Sequence, residues 1–386
     1  MGATETRHER LIPVFDLQVT PEDLESVAHT LRSGWLTMGP RTLEFEEEFA
    51  RMIGARYAVA VSSCTAALHL AYLAAGVGPG DEVIVPSYTM AATAAAVLYA
   101  GGTPVFADIA GLDQPLIGVA HVEELITPNT KAVCAMHFGG YAARVDALAE
   151  LCAARGIALI EDAAHSPLAT LGGKSLGTFG LAGAFSFFSN KVLAAGEGGL
   201  LATDDPDVAA LARARRSHAM TRGSWDRHRG AAEDYDVPAL GFNYRLDEPR
   251  SALLLSRLAR LEQDVARRRE LTRRYRRLLA NVPGVSVPFS DEAVATSSCY
   301  VMPVMLEDSS RQSSLRIALR ERHRVQTSLF YPAVHEFTAY RERFPGLSLP
   351  KTELAARSEV TLPLFSHLSY EDQDRVVAAL ATELEP

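Results

Sequence analysis

A lysine, Lys191, stands in the stretch FSFFSNKVLAAGEGGLLAT (185–203), between an aromatic run and a glycine-rich one. Most loop lysines simply reach water. This one is set among apolar, aromatic and small residues. A lysine in a partly apolar site has a depressed pKa and can act as a nucleophilic amine. The run Gly196-Glu197-Gly198-Gly199 favours that reading, because small residues let backbone and ligand come close.

Three other groups can join it. SSCTAAL (62–68) follows the apolar AVAV and opens a helix. Hydroxyls and free backbone N–H groups at a helix N-terminus make an anion site. Taken alone, the simpler reading is a Ser/Thr N-cap. In IEDAAHS (160–166), Asp162 ends a buried apolar strand. A carboxylate there needs a cation or hydrogen-bond donors to stay ionised, unless it caps the next helix. Ser186, in the FSFF strand, adds a hydroxyl that means little by itself. Neither GxxxxGK[ST] nor GxGxxG occurs, which disfavours nucleoside triphosphate and dinucleotide sites. A phosphate cradle, a carboxylate and, about 29 residues later, an amine are together what pyridoxal phosphate requires.

These residues need a scaffold to bring them together. EVIVPS (82–87), TPVFADI (103–109), KAVCAMHF (131–138) and IALIEDAAH (157–165) read as strands, and 90–100 and 146–156 as helices. The alternation predicts an α/β fold, a mainly parallel sheet with helices on both faces. Ligands of such sheets lie beyond the carboxyl ends of the strands. GAFSFF and GGLLAT flank Lys191 too closely for a helical crossover, so they should be antiparallel or edge strands. From about Tyr244 the texture changes. Residues 247–280 read as one long helix, with Pro249 in its first turn and Leu254, Leu258, Leu261, Val265 and Leu278 near one face. Its arginines could form a nucleic-acid stripe, but a solvated face is the plainer reading. GVSVPF, CYVMPVML and VQTSLF read as strands, with helices near 311–323, 352–358 and 369–383. We expect a cofactor-binding domain over 1–246 and a smaller C-terminal α+β domain over 247–386.

Composition narrows the class. The 386 residues are 48% hydrophobic, enough for a sizeable core, and carry a net charge of -9, which disfavours nucleic acid as a partner. No segment reaches the roughly 18–20 apolar residues that span a bilayer. The first residues lack the apolar core of a signal peptide. Cys64, Cys134, Cys152 and Cys299 show neither CxxC nor metal-ligand spacing. The expectation is a reduced, cytoplasmic protein without a metal site.

In order along the chain, GWLTMGPRTLEFEEEFA, VSSCTAALHLA, GDEVIVPSYT, GGTPVFADI, IEDAAHS, SFFSNKVLAAGEGG, LGFNYRLDEPRSA and YPAVHEF resemble the DegT/DnrJ family of sugar aminotransferases, which have the fold type I of pyridoxal phosphate enzymes. The resemblance runs from about Leu31 to the C-terminus. It implies a seven-stranded-type, mainly parallel sheet. It makes Lys191 the lysine that binds the cofactor aldehyde, Asp162 the partner of the pyridine nitrogen and His165 the contact of the ring's phenolic oxygen. Ala164 would lie under one ring face. Ser63, Cys64 and Ser186 fall at phosphate-binding positions. Met90 stands where the family often has Phe or Trp, so that ring face is less fixed. Asn243 matches an asparagine that reaches the phosphate from a second subunit, which implies a homodimer with shared sites. Tyr331 and His335 fall in the segment lining the sugar-nucleotide site. Arg222, in the arginine-rich 213–229 segment, could hold a diphosphate, although a solvated loop is an equal reading.

The implied reaction moves nitrogen from L-glutamate, by way of pyridoxamine phosphate, to a nucleotide-linked (dTDP) 4-keto-6-deoxyhexose in deoxyaminosugar biosynthesis. A 3-ketosugar or a ketocyclitol is an alternative acceptor. Dehydratases on this fold replace the lysine with histidine, so Lys191 argues for nitrogen transfer. A non-catalytic regulator that binds the cofactor is a further alternative, against which Lys191, Asp162 and His165 stand together.

Overall fold

The computed structural model describes residues 10–221, 230 and 234–385. Side-chain alternation along the strands sorts the large core into two layers. Ala58, Ala60, Ile84, Val133, Ala135, Leu159 and Leu200 face one layer. Val59, Val61, Val83, Val85, Cys134, Ile160 and Leu201 face the other. That period of two is what a sheet covered on both faces requires.

The strands are β1 (Tyr57–Val61), β2 (Glu82–Pro86), β3 (Thr103–Ala107), β4 (Thr130–Met136), β5 (Ala158–Asp162), the short β6 (Thr170–Leu171) and β7 (Lys174–Ser175), β8 (Ala182–Ser186) and β9 (Gly199–Thr203). Seven of them form the main sheet in the order β1-β9-β8-β5-β4-β2-β3. Only β9 runs against its neighbours, pairing antiparallel with both β1 and β8. The expected antiparallel pair around Lys191 is present, but it lies inside the sheet and not at its edge.

The helices on this sheet are α1 (Pro21–Arg32), α2 (Pro40–Ile53), α3 (Cys64–Ala74), α4 (Ala91–Tyr99), α5 (Val119–Leu125), α6 (Val145–Arg155) and α7 (Pro206–Arg215). α2, α5 and α6 bury their apolar side chains in the first layer, and α3, α4 and α7 in the second. Boundaries follow local chemistry. Ser63 and Asp205 cap α3 and α7 with their side-chain oxygens, and Gly54 and Gly156 end α2 and α6 in the left-handed region.

Residues 247–280 correct the single-helix expectation. Two helices form, Glu248–Leu258 and Leu261–Leu279, with Arg260 between them at φ -113, ψ 3. Arg260 is held there by Asp23 of α1, at 2.8 Å and 2.5 Å through its two terminal nitrogens. After the break the helical phase shifts, so Leu271, Tyr275 and Leu279 are buried while Leu278 is only half-buried. The arginines here are not simply solvated either. Arg257 and Arg268 are each 6% exposed, and Arg268 Nη1 donates to Tyr300 O and Leu364 O.

A second sheet joins Val285–Ser286, Met302–Leu306 and Glu359–Leu362, all antiparallel. The last of these strands and the helix Asp291–Thr296 carry no clear sequence signal. VQTSLF is not a strand of this sheet. It makes only the isolated bridges Ile12↔Val325 and Ser328↔Thr361. A third apolar cluster surrounds the small sheet and includes Ile12, while Leu254, Leu261 and Val265 join the core of the large one.

Candidate active site

The carboxyl ends of β1, β2, β4, β5 and β8 lie along one edge of the sheet, together with the start of the reversed β9. A cavity of about 360 Å³ lies there. Ser63, Cys64, Met90, Asp162, Ala164, His165, Ser186, Lys191 and Tyr331 all line it. The sheet thus gathers nine residues spread from Ser63 to Tyr331.

β1 delivers the chain to Ser63, whose Oγ accepts from Ala66 N at 3.2 Å. The first turn of α3 therefore begins at the cavity wall, where backbone N–H groups favour an anion. Gly199 makes this fit possible. A Cβ on it would stand 2.3 Å from Ser63 C and 2.4 Å from Cys64 N.

Asp162, the last residue of β5, is 3% exposed. Its Oδ2 accepts from Thr93 Oγ1 at 2.7 Å and its Oδ1 from Ala164 N at 3.2 Å. Burial pushes this carboxyl above its ordinary pKa, against the lowering effect of those bonds and of Lys191. No cation pairs with it at salt-bridge distance among the described residues. A cationic group entering the cavity would oppose that rise and favour the ionised carboxylate.

His165 is held as a neutral ring. Its Nδ1 accepts from Gly139 N at 3.1 Å, so the proton sits on Nε2, which donates to Tyr331 Oη at 2.8 Å. Burial, with the nearby Lys191 and His137, keeps its pKa well below the ordinary value.

Lys191 rides on the connection from β8 to β9. Two backbone bonds close that loop, Phe187 N to Gly198 O at 2.9 Å and Ala195 N to Phe187 O at 2.8 Å. The ammonium lies 4.5 Å from the centre of the Tyr300 ring. Burial lowers its pKa to about 8, opposed by Cys64 and Asp162. The same burial raises the Cys64 thiol well above its ordinary value.

Two expected site residues lie elsewhere, and a third is not among the described residues. His335 is buried and does not line the cavity, because its ring is engaged by Ser87 Oγ at 2.7 Å and lies 3.4 Å from Glu353. Asn243 is exposed and bridges to Ser217 through its backbone, away from the cavity wall of its own chain. Arg222 lies outside the described residues. Thr93, Tyr300 and Phe188 were not anticipated. Thr93 follows Met90 by three residues at the start of α4, which is a local signal. Tyr300 comes from the stretch leading into Met302–Leu306 of the second sheet, and no local pattern marks it.

Residues 18–381 match the DegT/DnrJ/EryC1/StrS aminotransferase family. The chain is 37% identical, over 93% of each chain, to the spore coat polysaccharide biosynthesis protein SpsC of Bacillus subtilis. Among solved structures it is similar to the aminotransferase TlmJ from Streptoalloteichus hindustanus, with 35% identity and a TM-score of 0.89 over 97% of this chain and 99% of that one. It is also similar to DesI, solved in the presence of its TDP-sugar product, with 32% identity and a TM-score of 0.85 over 98% and 93%. The chain belongs to the DegT/DnrJ/EryC1/StrS aminotransferase family. With it, the chain is a pyridoxal phosphate-dependent sugar aminotransferase, and its sheet is the one the aminotransferase fold provides.

Proposed function

We propose that the chain transfers an amino group from L-glutamate to a nucleotide-linked 4-keto-6-deoxyhexose, with dTDP as the nucleotide, in deoxyaminosugar biosynthesis. The observation that carries this reading is the convergence of Lys191, Asp162 and the start of α3 on one cavity. The residue set fits pyridoxal phosphate. The amino end of α3 with Ser63 and Ser186 suits a phosphate, and the buried Asp162, lacking a cationic partner, suits a protonated pyridine nitrogen. When bound, the cofactor supplies an aldehyde and an electron-withdrawing ring that acidifies the carbon bearing the nitrogen.

Lys191 is the residue that moves protons. With a pKa of about 8 it is about one-tenth neutral at pH 7, so an amine able to accept a proton is always available. Asp162 holds a proton at the ring nitrogen, with Thr93 fixing the orientation of its carboxylate. His165 Nε2–H donates a hydrogen bond to Tyr331 Oη, which leaves the Tyr331 hydroxyl free to donate to an oxygen in the cavity. Ala164 and Met90 would lie against the two ring faces. The acceptor class rests on the family and on DesI, whose structure was solved with a TDP-sugar product. Two copies sharing their sites, with Asn243 crossing between them, complete the reading.

The test is incubation with L-glutamate and a panel of nucleotide ketosugars, including 3-keto and 4-keto forms and a free ketocyclitol, with products read by mass spectrometry and NMR. Amination of a 4-keto-6-deoxyhexose at C4 is expected. Fully loaded protein that aminates a ketocyclitol or a 3-ketosugar in its place overturns the assignment.

A further inference from the structure

Tyr300 lines the cavity together with Lys191, and the Lys191 ammonium lies over its ring, 4.5 Å from the ring centre. Its hydroxyl is idle, since Oη is buried and makes no hydrogen bond among the described residues. What the residue turns toward Lys191 is therefore its aromatic ring. The face of such a ring carries negative potential and attracts a cation, most strongly where water is excluded.

The surroundings hold this ring in place. Tyr300 N donates to Gly139 O at 2.9 Å, and Tyr300 O accepts from Arg268 Nη1 at 3.3 Å. Gly139 N in turn donates to His165 Nδ1 at 3.1 Å, so one turn sets both Tyr300 and His165. Phe15 stacks on the ring at 5.6 Å and 10°, Phe330 meets it edge-on at 5.8 Å, and the neutral His165 ring lies at 4.2 Å. The lysine side chain, by contrast, is a long flexible stem. Asp162 on β5 and Cys64 on α3 favour its charged form through space, but no carboxylate lies within salt-bridge distance of it among the described residues. Glu197 and Tyr331 line the same cavity. Behind the Lys191 loop stand Asp16 and Arg260, paired with His367 and Asp23, and also Asp264, Arg257 and Arg268.

We propose that Tyr300 is a positioning residue for Lys191: its ring face is where the side chain rests whenever the nitrogen is protonated and not bonded to a ligand. The proposal rests on the transamination reading, in which Lys191 is released, carries a proton and returns it within the same cavity. An ammonium without a carboxylate partner would otherwise swing toward open water. On the ring it stays at the cavity wall, in reach of the reacting atoms. Burial disfavours the charged form of Lys191, and the ring face opposes that effect. Loss of the ring should therefore let the amine lose its proton at lower pH.

The test needs neither cofactor nor substrate, so its failure is read separately from a failure of the proposed reaction. The full-length, cofactor-free protein is trace-labelled with acetic anhydride across pH 6 to 10, digested and analysed by mass spectrometry, with the exposed Lys131 as internal reference. In Tyr300→Leu the labelling midpoint of Lys191 should fall by about 0.5 to 1 pH unit, because the cation loses its ring. Tyr300→Phe keeps the ring and drops the idle hydroxyl, so its midpoint should match wild type. If the leucine variant does not fold, a ring-fluorinated phenylalanine at Tyr300 keeps the shape and weakens the ring face, and the same fall is expected. In holoenzyme, Tyr300→Leu (or the fluorinated variant in its place) should slow the half-reaction with L-glutamate, by at least about tenfold for the leucine, while Tyr300→Phe stays near wild type. An unchanged or raised midpoint without the ring, an equal fall in Tyr300→Phe, or a wild-type half-reaction in Tyr300→Leu overturns the proposal.

Discussion

Glu161 and Asp162 are neighbours in sequence and face opposite layers of the sheet. Glu161 is fully buried and accepts four bonds, from His137 Nε2 at 3.0 Å and from the N–H groups of Gly177, Phe179 and Gly180 at 2.7 Å, 2.6 Å and 3.1 Å. Nothing more can approach it. Asp162 keeps one side toward the cavity. The difference separates a carboxylate that holds the fold from one available for chemistry, and it sets a prediction. Asp162→Asn should retain the cofactor, because the phosphate cradle is untouched. It should slow the half-reaction with L-glutamate by at least about a hundredfold, because the ring nitrogen loses its proton partner. Single-turnover spectra measure this, and an unchanged rate would take Asp162 out of the mechanism. At this scale, much was legible in the sequence. Asp162, Ser63 and Lys191 each sit in a short motif at the end of a strand, where local chemistry marks them. Thr93 reaches Asp162 across 69 positions, and Tyr300 reaches Lys191 from the stretch before Met302–Leu306, so neither contact has a sequence pattern.

At the level of elements, the fit of β9 against the start of α3 decides whether the cradle exists. Gly199→Ala places a methyl 2.3 Å from Ser63 C, and the first turn of α3 must shift. We expect a loss of about 1–3 kcal/mol in stability and weaker cofactor retention, read by thermal melts and cofactor titration. A variant that melts and binds like wild type would show that the contact is slack. The segment Phe330–Tyr331 rests on Glu359, whose Oε2 accepts from Phe330 N at 2.9 Å and whose other oxygen accepts from Thr361. Burial raises the pKa of Glu359 from 4.5 to about 8. The folded protein therefore keeps a proton that the unfolded chain releases near its ordinary value. This group's contribution to stability is fully present below about pH 4.5 and is lost as pH rises to about 8. Glu359→Gln should flatten that part of the profile relative to wild type, with melts from pH 4 to 9 as the measurement. Parallel profiles would reject the assignment. The parallel strands and α3, α4 and α6 follow directly from apolar runs and their boundaries, whereas α5 was not read from the sequence. The break at Arg260 does not, because a distant carboxylate, Asp23, causes it.

At the scale of the whole molecule, several exposed apolar side chains lie near the cavity in sequence or space. Met90 is 55% exposed, Phe188 43% and Leu240 88%, the last three residues before the exposed Asn243. A second copy of the chain would cover such residues, and the proposed homodimer takes Lys191 from one chain and Asn243 from the other. Mixing Lys191→Ala with Asn243→Ala, each inactive or strongly impaired alone, should restore about one working site per mixed dimer. If no activity returns, or if light scattering finds a monomer at working concentration, the sharing is wrong.

The central claim is that Lys191 is the amine on which the chemistry turns. The chain has only four lysines, Lys131, Lys174, Lys191 and Lys351, so one mapping experiment can decide it. Cofactor-free protein is mixed with pyridoxal phosphate across pH 6 to 10, reduced with borohydride, digested and analysed by mass spectrometry. The pyridoxyl mass should fall on the peptide carrying Lys191, and the rate of labelling should rise with a midpoint at about pH 8, as its amine loses a proton. Label on Lys131, Lys174 or Lys351 with Lys191 unmodified would contradict the account.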